Sequence, residues 1–337
     1  MTVERSAVDD RLSSTDHLVA GAVSGFCTRF LCQPFDVIKI RFQLQVEPIK
    51  TSHATAKYRG IVDGTRLIFR EEGLAAFWKG HIPAQALSVV YGAAQFSSYE
   101  YFVKQANAHL GEATAANWPN TIHFTCGFTS GCVATLVAQP FDVIRTRLVA
   151  QAEPKVTALG WGCVSPMKAW MIISLQTYNT IQEAVILMWR QERYRGFYRG
   201  LLPTLLQIGP LSGFQFGFYH FFLHVWSMIL HQDEHVTGIR KSVVCGALSG
   251  IVSKTLVYPL DLIKKRLQVQ GFTVRDSRTF ASYTGFFHCV RVIFVKEGFL
   301  GYFKGYIPSV LKATATTACH FAFYEAACQL LKRLRKY

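Results

Sequence analysis

Three related phrases carry the chemistry legible in this chain: QPFDVIKIRFQLQ from Gln33, QPFDVIRTRLVAQ from Gln139 and YPLDLIKKRLQVQ from Tyr258. Each sets an aspartate shortly after a proline and a base one helical turn further on: Asp36 with Lys39, Asp142 with Arg145, Asp261 with Lys264. Three carboxylates and three cations can close a ring of ion pairs if three helix ends converge on one axis. Such pairs near water are worth about 0–1 kcal/mol each, whereas breaking one in a dry constriction strands a charge, so a ring of this kind suits a gate. For any single copy, pairing within its own helix is the plainer alternative.

At about 100° per residue, Arg29, Asp36, Lys39 and Gln43 fall within roughly 80° of one another and form a stripe. The same offsets give Lys254, Asp261, Lys264 and Gln268 in the third phrase, and Thr135, Asp142, Arg145 and Val149 in the second. Arg29 and Lys254 lie about 10 Å along the helix from their aspartates, in a separate layer. A third cation, Lys312, stands in the apolar stretch PSVLKATATTACHFAF. Cations facing a wet interior call for an anionic ligand; snorkelling to a membrane edge is the other reading. No nucleophile–base set, zinc motif or nucleotide-binding glycine loop is present: GAVSG and GALSG sit inside apolar helices, and His123, His220 and His320 read as wet or satisfied helix residues.

The elements that position these groups are greasy. Half of the 337 residues are hydrophobic (50%) and only 17% are charged, against a usual quarter, which indicates a membrane protein. Lys and Arg number 36 against 21 acids, a net charge of +15 that suits an anionic solute or lipid better, given the apolar runs, than nucleic acid. The nine cysteines lack paired metal-ligand spacing and read as small buried hydrophobes. The polar N-terminal stretch, residues 1–16, has neither a signal-peptide core nor the Arg-rich, acid-poor character of a transit peptide.

The chain is one unit used three times. Before Pro34, Pro140 and Pro259 stands a Gly-x-x-x-Gly (Gly21 and Gly25, Gly127 and Gly131, Gly246 and Gly250), a spacing that lets apolar helices approach closely. After each proline comes an aromatic–base–glycine element ending in a further proline, Pro83, Pro203 or Pro308, with Tyr58, Tyr178 and Tyr283 upstream. The expected spans are 17–45, 82–105, 121–150, 202–230, 241–270 and 307–333, each long enough to cross a hydrocarbon layer of about 30 Å. The repeats are placed at 17–110, 118–230 and 238–333.

Three copies of Pro-x-Asp-x-x-Lys/Arg-x-Lys/Arg, each followed by an acid and by aromatic–base–glycine, resemble the mitochondrial carrier family over about residues 17–333. The resemblance implies an all-α membrane protein, with six transmembrane helices in three pseudo-threefold repeats and short matrix helices. It further implies a monomeric transporter of the mitochondrial inner membrane, with both termini toward the cytosol, working by alternating access, and not an enzyme. By analogy Asp36, Lys39, Asp142, Arg145, Asp261 and Lys264 form the matrix gate, braced by Gln43 and Gln268. Arg29, Thr135, Lys254, Leu87, Gln207, Ile208 and Lys312 match substrate-contacting positions. Gly60, Gly80, Gly200, Gly285 and Gly305 mark elements similar to cardiolipin-binding helix termini, where backbone amides favour phosphate. Within the family, the stretches PFDVIKIRFQLQ, FWKGHIPAQALSVVYGAAQF and KTLVYPLDLIKKRLQV imply thiamine pyrophosphate as cargo, transported rather than used as a cofactor, with a nucleotide or other phosphorylated anion as counter-solute. A nucleotide or coenzyme A carrier shares this chemistry; a membrane enzyme or receptor is the rival from another class.

Departures from the family pattern are informative. The aromatic–acid–x–x–base motif of the opposite gate reads YEYFV, YHFFL and YEAAC, so Val103, Leu223 and Cys328 stand where bases are expected and the cytosolic latch is either weak or hydrophobic. Arg193 replaces the usual glycine after Glu192, and Asn179-Thr180 departs from the repeat-two lipid element. The proline-to-aromatic interval runs from 34 to 78 and from 259 to 303, but from 140 to 198 in repeat two, which points to an inserted apolar loop at about 156–177.

Overall fold

A computed structural model describes residues 14–45, 60–110, 119–151, 180–230, 238–270 and 283–334. The expectations for Tyr58, Tyr178, Asn179 and the 156–177 insertion lie outside these residues. Among the described residues the chain is helical: α1 (Ser14–Leu44), α2 (Ile61–Glu72), α3 (His81–Leu110), α4 (Pro119–Ala150), α5 (Ile181–Phe197), α6 (Leu201–Leu230), α7 (Gly238–Gln268), α8 (Phe286–Glu297) and α9 (Tyr306–Leu334). Short 3₁₀ turns, Leu74–Trp78 and Phe299–Phe303, lead into α3 and α9. The six long helices run 29 to 32 residues, about 45 Å at 1.5 Å per residue. Thr121–Ala150 alone among them is apolar and charge-poor enough to be read as a membrane span from composition. The others carry polar positions as well, among them Arg29, Lys254 and Lys312, each bonded to a neighbouring long helix.

Packing is strongest between repeats. α1 lies along α9, α3 along α4 and α6 along α7, and the first of these contacts closes the ring. The C-terminal ends of α1, α4 and α7 converge in an apolar plug of Val37, Ile40, Leu44, Val149, Ala150 and Val269. Each short helix packs on its own odd helix in the same way: Ile68 on Ile38 and Phe42, Met188 on Val143 and Ile144, Ile293 on Leu262 and Ile263. Large apolar side chains including Leu31, Phe96, Phe216 and Phe321 stay exposed, as a lipid-facing surface requires.

Pro34, Pro140 and Pro259 sit inside α1, α4 and α7. Proline removes a backbone hydrogen bond and bends a helix, and each bend is tied to the loop of its own repeat. Gln33 Nε2 donates to the Lys79 carbonyl at 3.0 Å, Gln139 Nε2 to the Arg199 carbonyl at 3.0 Å, and the Tyr258 hydroxyl to the Lys304 carbonyl at 2.7 Å. The glycine after each of those bases has a positive φ: Gly80 (73°), Gly200 (74°) and Gly305 (76°). A Cβ on Gly200 would lie 3.0 Å from the Lys264 carbonyl oxygen, and one on Gly305 3.1 Å from that of Lys39. Glycine is needed there because the chain presses on the odd helix of another repeat.

One expectation is corrected. The Gly-x-x-x-Gly positions do not mark close helix contacts in this conformation: Gly21, Gly25, Gly127, Gly246 and Gly250 face open space, and only Gly131 would meet a neighbour, Ile208, at 3.3 Å. The close approach comes instead at the loop glycines. The repeat-two element also caps itself differently from the others. Thr180 accepts from the Glu183 amide in place of an extended Gly60 or Gly285. Inside α5, at a kink just after Glu192, Arg193 takes φ 52° and ψ −145°, where Gly73 (φ 86°) and Gly298 (φ 70°) stand in the sister repeats.

Candidate functional site: a charged ring beneath a cationic cavity

The three aspartates and three bases meet, and each pair bridges two helices. Lys39 of α1 reaches Asp261 of α7 at 2.6 Å, Lys264 of α7 reaches Asp142 of α4 at 2.8 Å, and Arg145 of α4 pairs with Asp36 of α1. The within-helix alternative is excluded by this geometry, since the convergence of the odd helices brings each aspartate closer to its neighbour's base. Asp36 and Asp142 are nearly buried, and the Lys39–Asp261 pair is somewhat wetter.

The ring departs from threefold symmetry. Lys265, at the position held by Ile40 and Thr146 in the other repeats, gives Asp142 a second ammonium at 2.8 Å and also bonds Thr146 Oγ1 and Gln268 Oε1, both at 2.9 Å. Gln268 donates to Asp142 at 2.9 Å, as a brace should. Gln43 instead bonds the Tyr258 hydroxyl at 3.1 Å, and the Tyr258 ring lies 6.0 Å from Lys39 Nζ. Its support of the Lys39–Asp261 pair therefore runs through Tyr258.

A second charged layer, legible as conserved spacing among the three repeats but not predicted as a structure, lies below. Arg41, Arg147 and Arg266 fork onto Glu72, Glu192 and Glu297 at the ends of α2, α5 and α8, with Lys79, Arg199 and Lys304 as further partners. Each arginine also reaches the end of another odd helix: Arg41 to the Val149 carbonyl (3.2 Å), Arg147 to that of Gln268 (3.1 Å), Arg266 to that of Gln43 (3.1 Å). Burial opposes ionisation of Glu72, but the Arg41 hydrogen bonds and charge, with Lys79, hold its carboxyl below the usual range. Burial pushes the Cys289 thiol of α8 up to about 12.

Immediately above the ring is a cavity of about 270 Å³, lined by Arg29, Leu87, Tyr91, Thr135, Lys264 and Lys312 among others. Four of the sequence-predicted contact residues, Arg29, Leu87, Thr135 and Lys312, thus share one chamber with the ring's own Asp142, Arg145 and Lys264. The three predicted contact cations are not idle. Lys312 Nζ rests 2.6 Å from Asp36 Oδ1, Arg29 donates to the Ala84 carbonyl at 2.9 Å, and Lys254 to the Ser309 carbonyl at 3.1 Å. Lys312, alone among apolar neighbours along the chain, has an acid in the fold: from four residues past Pro308 on α9 it reaches across to the aspartate of α1. Lys254 does not line the cavity, Gln207 donates to Asp261 at 3.3 Å, and Ile208 packs against Gly131. Tyr91 and Ser88, which do line it, were not singled out by sequence; an aromatic ring in an apolar helix carries no signal of its own.

Toward the other end of the long helices neither Glu100 nor Glu325 has an ion pair among the described residues. Polar links there are Tyr99 to His123 Nδ1 and Tyr324 to His17 Nδ1, each 2.9 Å, spanning α3–α4 and α1–α9. His123 is accordingly a satisfied residue.

A second cavity, again about 270 Å³, lies between the Trp78-Lys79-Gly80 element and the start of α5 at Thr180 and Ile181. Gly60 and Gly285 stand as extended residues ahead of α2 and α8.

A threefold arrangement of proline-containing helices, paired across repeats by a charged ring below a cationic chamber, defines a membrane carrier. The chain belongs to the mitochondrial carrier family: the family profile, described as mitochondrial carrier protein, matches residues 10–109, 117–229 and 236–335. Among its relatives, a mitochondrial thiamine pyrophosphate carrier of Bos taurus is 44% identical over 331 residues, covering 97% of this chain and 96% of the relative. That of Homo sapiens is 44% identical over 314 residues (93% and 91%), and mitochondrial thiamine diphosphate carrier 1 of Zea mays is 33% identical over 329 (91% and 91%). As a member of this family the chain is a transporter of small anionic solutes in the mitochondrial inner membrane.

Proposed function

We propose that this chain carries thiamine pyrophosphate across the mitochondrial inner membrane by alternating access, in exchange for (deoxy)nucleotides or other phosphorylated anions. The observation that carries the reading is Lys312, whose ammonium both lines the chamber and holds Asp36 of the ring. Arg145 shares that double position. A phosphate entering the chamber competes with Asp36 for both cations, and each cation it draws away loosens α1 from α9 or α4. Binding then favours the state in which the ring is open, which is the condition for cargo to shift the equilibrium. The names and near-complete coverage of the relatives support thiamine pyrophosphate over a nucleotide or coenzyme A.

The remaining assignments follow from the same reading. The chain works as a monomer with both termini toward the cytosol, binds no nucleic acid, needs no cofactor and is not an enzyme. Cardiolipin is the lipid partner. Its phosphates fit the amides at the start of α5 and the Trp78-Lys79-Gly80 loop, which face one cavity. Gly60, Gly200, Gly285 and Gly305 mark the corresponding loops. Purified protein in liposomes should exchange labelled thiamine pyrophosphate; absence of uptake by protein whose melting temperature shows it to be folded would end the assignment.

A further inference from the structure

We propose that Tyr91 forms an aromatic subsite for the positively charged ring of the cargo, an inference that rests on the cargo assigned above. Leu87, Ser88 and Tyr91 present one face of α3 to the chamber. Thr135 of α4, whose Oγ1 donates to the Gly131 carbonyl at 2.8 Å, lines the same chamber. The Tyr91 side chain thus forms part of the wall of the cavity.

Two arguments turn that wall into a binding surface. The positions equivalent to Tyr91, counted from Pro203 and Pro308, hold Leu211 and Thr316, so the threefold gate does not require an aromatic there. The asymmetric part of the chamber is where an asymmetric cargo can be read. The second argument is charge. Arg29, Arg145, Lys264 and Lys312 repel a thiazolium, and the carboxylate of Asp142 is already taken by two lysines. An aromatic face is the one surface among these that attracts a cation. The cargo therefore lies with its pyrophosphate on the cations and its ring against α3.

A purely structural Tyr91 would act through its hydroxyl, so the test separates ring from hydroxyl. Uptake of labelled thiamine pyrophosphate into proteoliposomes is competed by unlabelled thiamine pyrophosphate and by thiamine thiazolone pyrophosphate, whose ring is neutral. The ratio of the two inhibition constants reads the preference for the charged ring and is insensitive to how much folded protein is present. Tyr91→Leu should reduce that preference by about 2- to 30-fold, and Tyr91→Phe should retain it. An unchanged preference in Tyr91→Leu, or an equal loss in Tyr91→Phe, overturns the subsite while leaving the cargo assignment intact. Absence of thiamine pyrophosphate uptake by the wild-type protein overturns both.

Discussion

Arg193 offers a quantitative test of how the repeats are built. Its φ of 52° and ψ of −145° belong to a region essentially reserved for glycine, and the sister repeats place Gly73 and Gly298 there. Holding a side chain in that region costs about 1–3 kcal/mol. Arg193→Gly removes the strain but widens the unfolded ensemble, which costs about 0.4–1 kcal/mol. The Arg193 side chain is exposed, so little packing is lost. The net expectation is a gain of roughly 0.5–2 kcal/mol, or about 1–6 °C in the melting temperature of detergent-purified protein. Arg193→Ala keeps the Cβ and therefore the strain, and should leave the melting temperature near wild type. Equal gains from Gly and Ala, or none from Gly, would show that the backbone at this position is not strained.

Other consequences are equally direct. Asp142→Asn leaves the Lys264 and Lys265 ammoniums without their carboxylate and should cost about 3–5 kcal/mol in a thermal-unfolding comparison. Asp261→Asn strands one wetter lysine and should cost visibly less. Lys312→Gln should raise the KM for thiamine pyrophosphate by about tenfold or more in liposomes, while an unchanged KM would confine Lys312 to holding Asp36. Gly200→Ala meets both a positive φ and the Lys264 carbonyl, and should destabilise by more than about 1 kcal/mol on the same thermal assay. Because the folded Glu72 carboxyl lies below its unfolded value, its stabilisation is present above pH of about 4.3 and lost as pH falls through the folded value; a pH series should show Glu72→Gln with the flatter acid limb.

The repeat, the positions of the six long helices and the membership of the ring were legible in sequence because they recur in register. The arrival of Lys39 at Asp261, Lys264 at Asp142 and Arg145 at Asp36 follows from that recurrence once three helix ends converge. The opposing-gate departures at Val103, Leu223 and Cys328 were legible too, as absent charges. What replaces those charges, in part Tyr99 with His123 and Tyr324 with His17, was not, since neither partner points to the other along the chain.

Sequence by itself determined the threefold plan, since periodicity and charge spacing are local properties that a single helix already displays. Tertiary structure alone decided which cation serves which carboxylate: that Lys312 belongs to Asp36, that Lys265 doubles the hold on Asp142, and that Tyr91 faces the chamber. Those facts depend on distances between helices that are far apart in the chain, set by proline bends and by glycines that let one backbone press on another. A pattern read along one helix contains its own angular spacing and nothing of its neighbour's rotation.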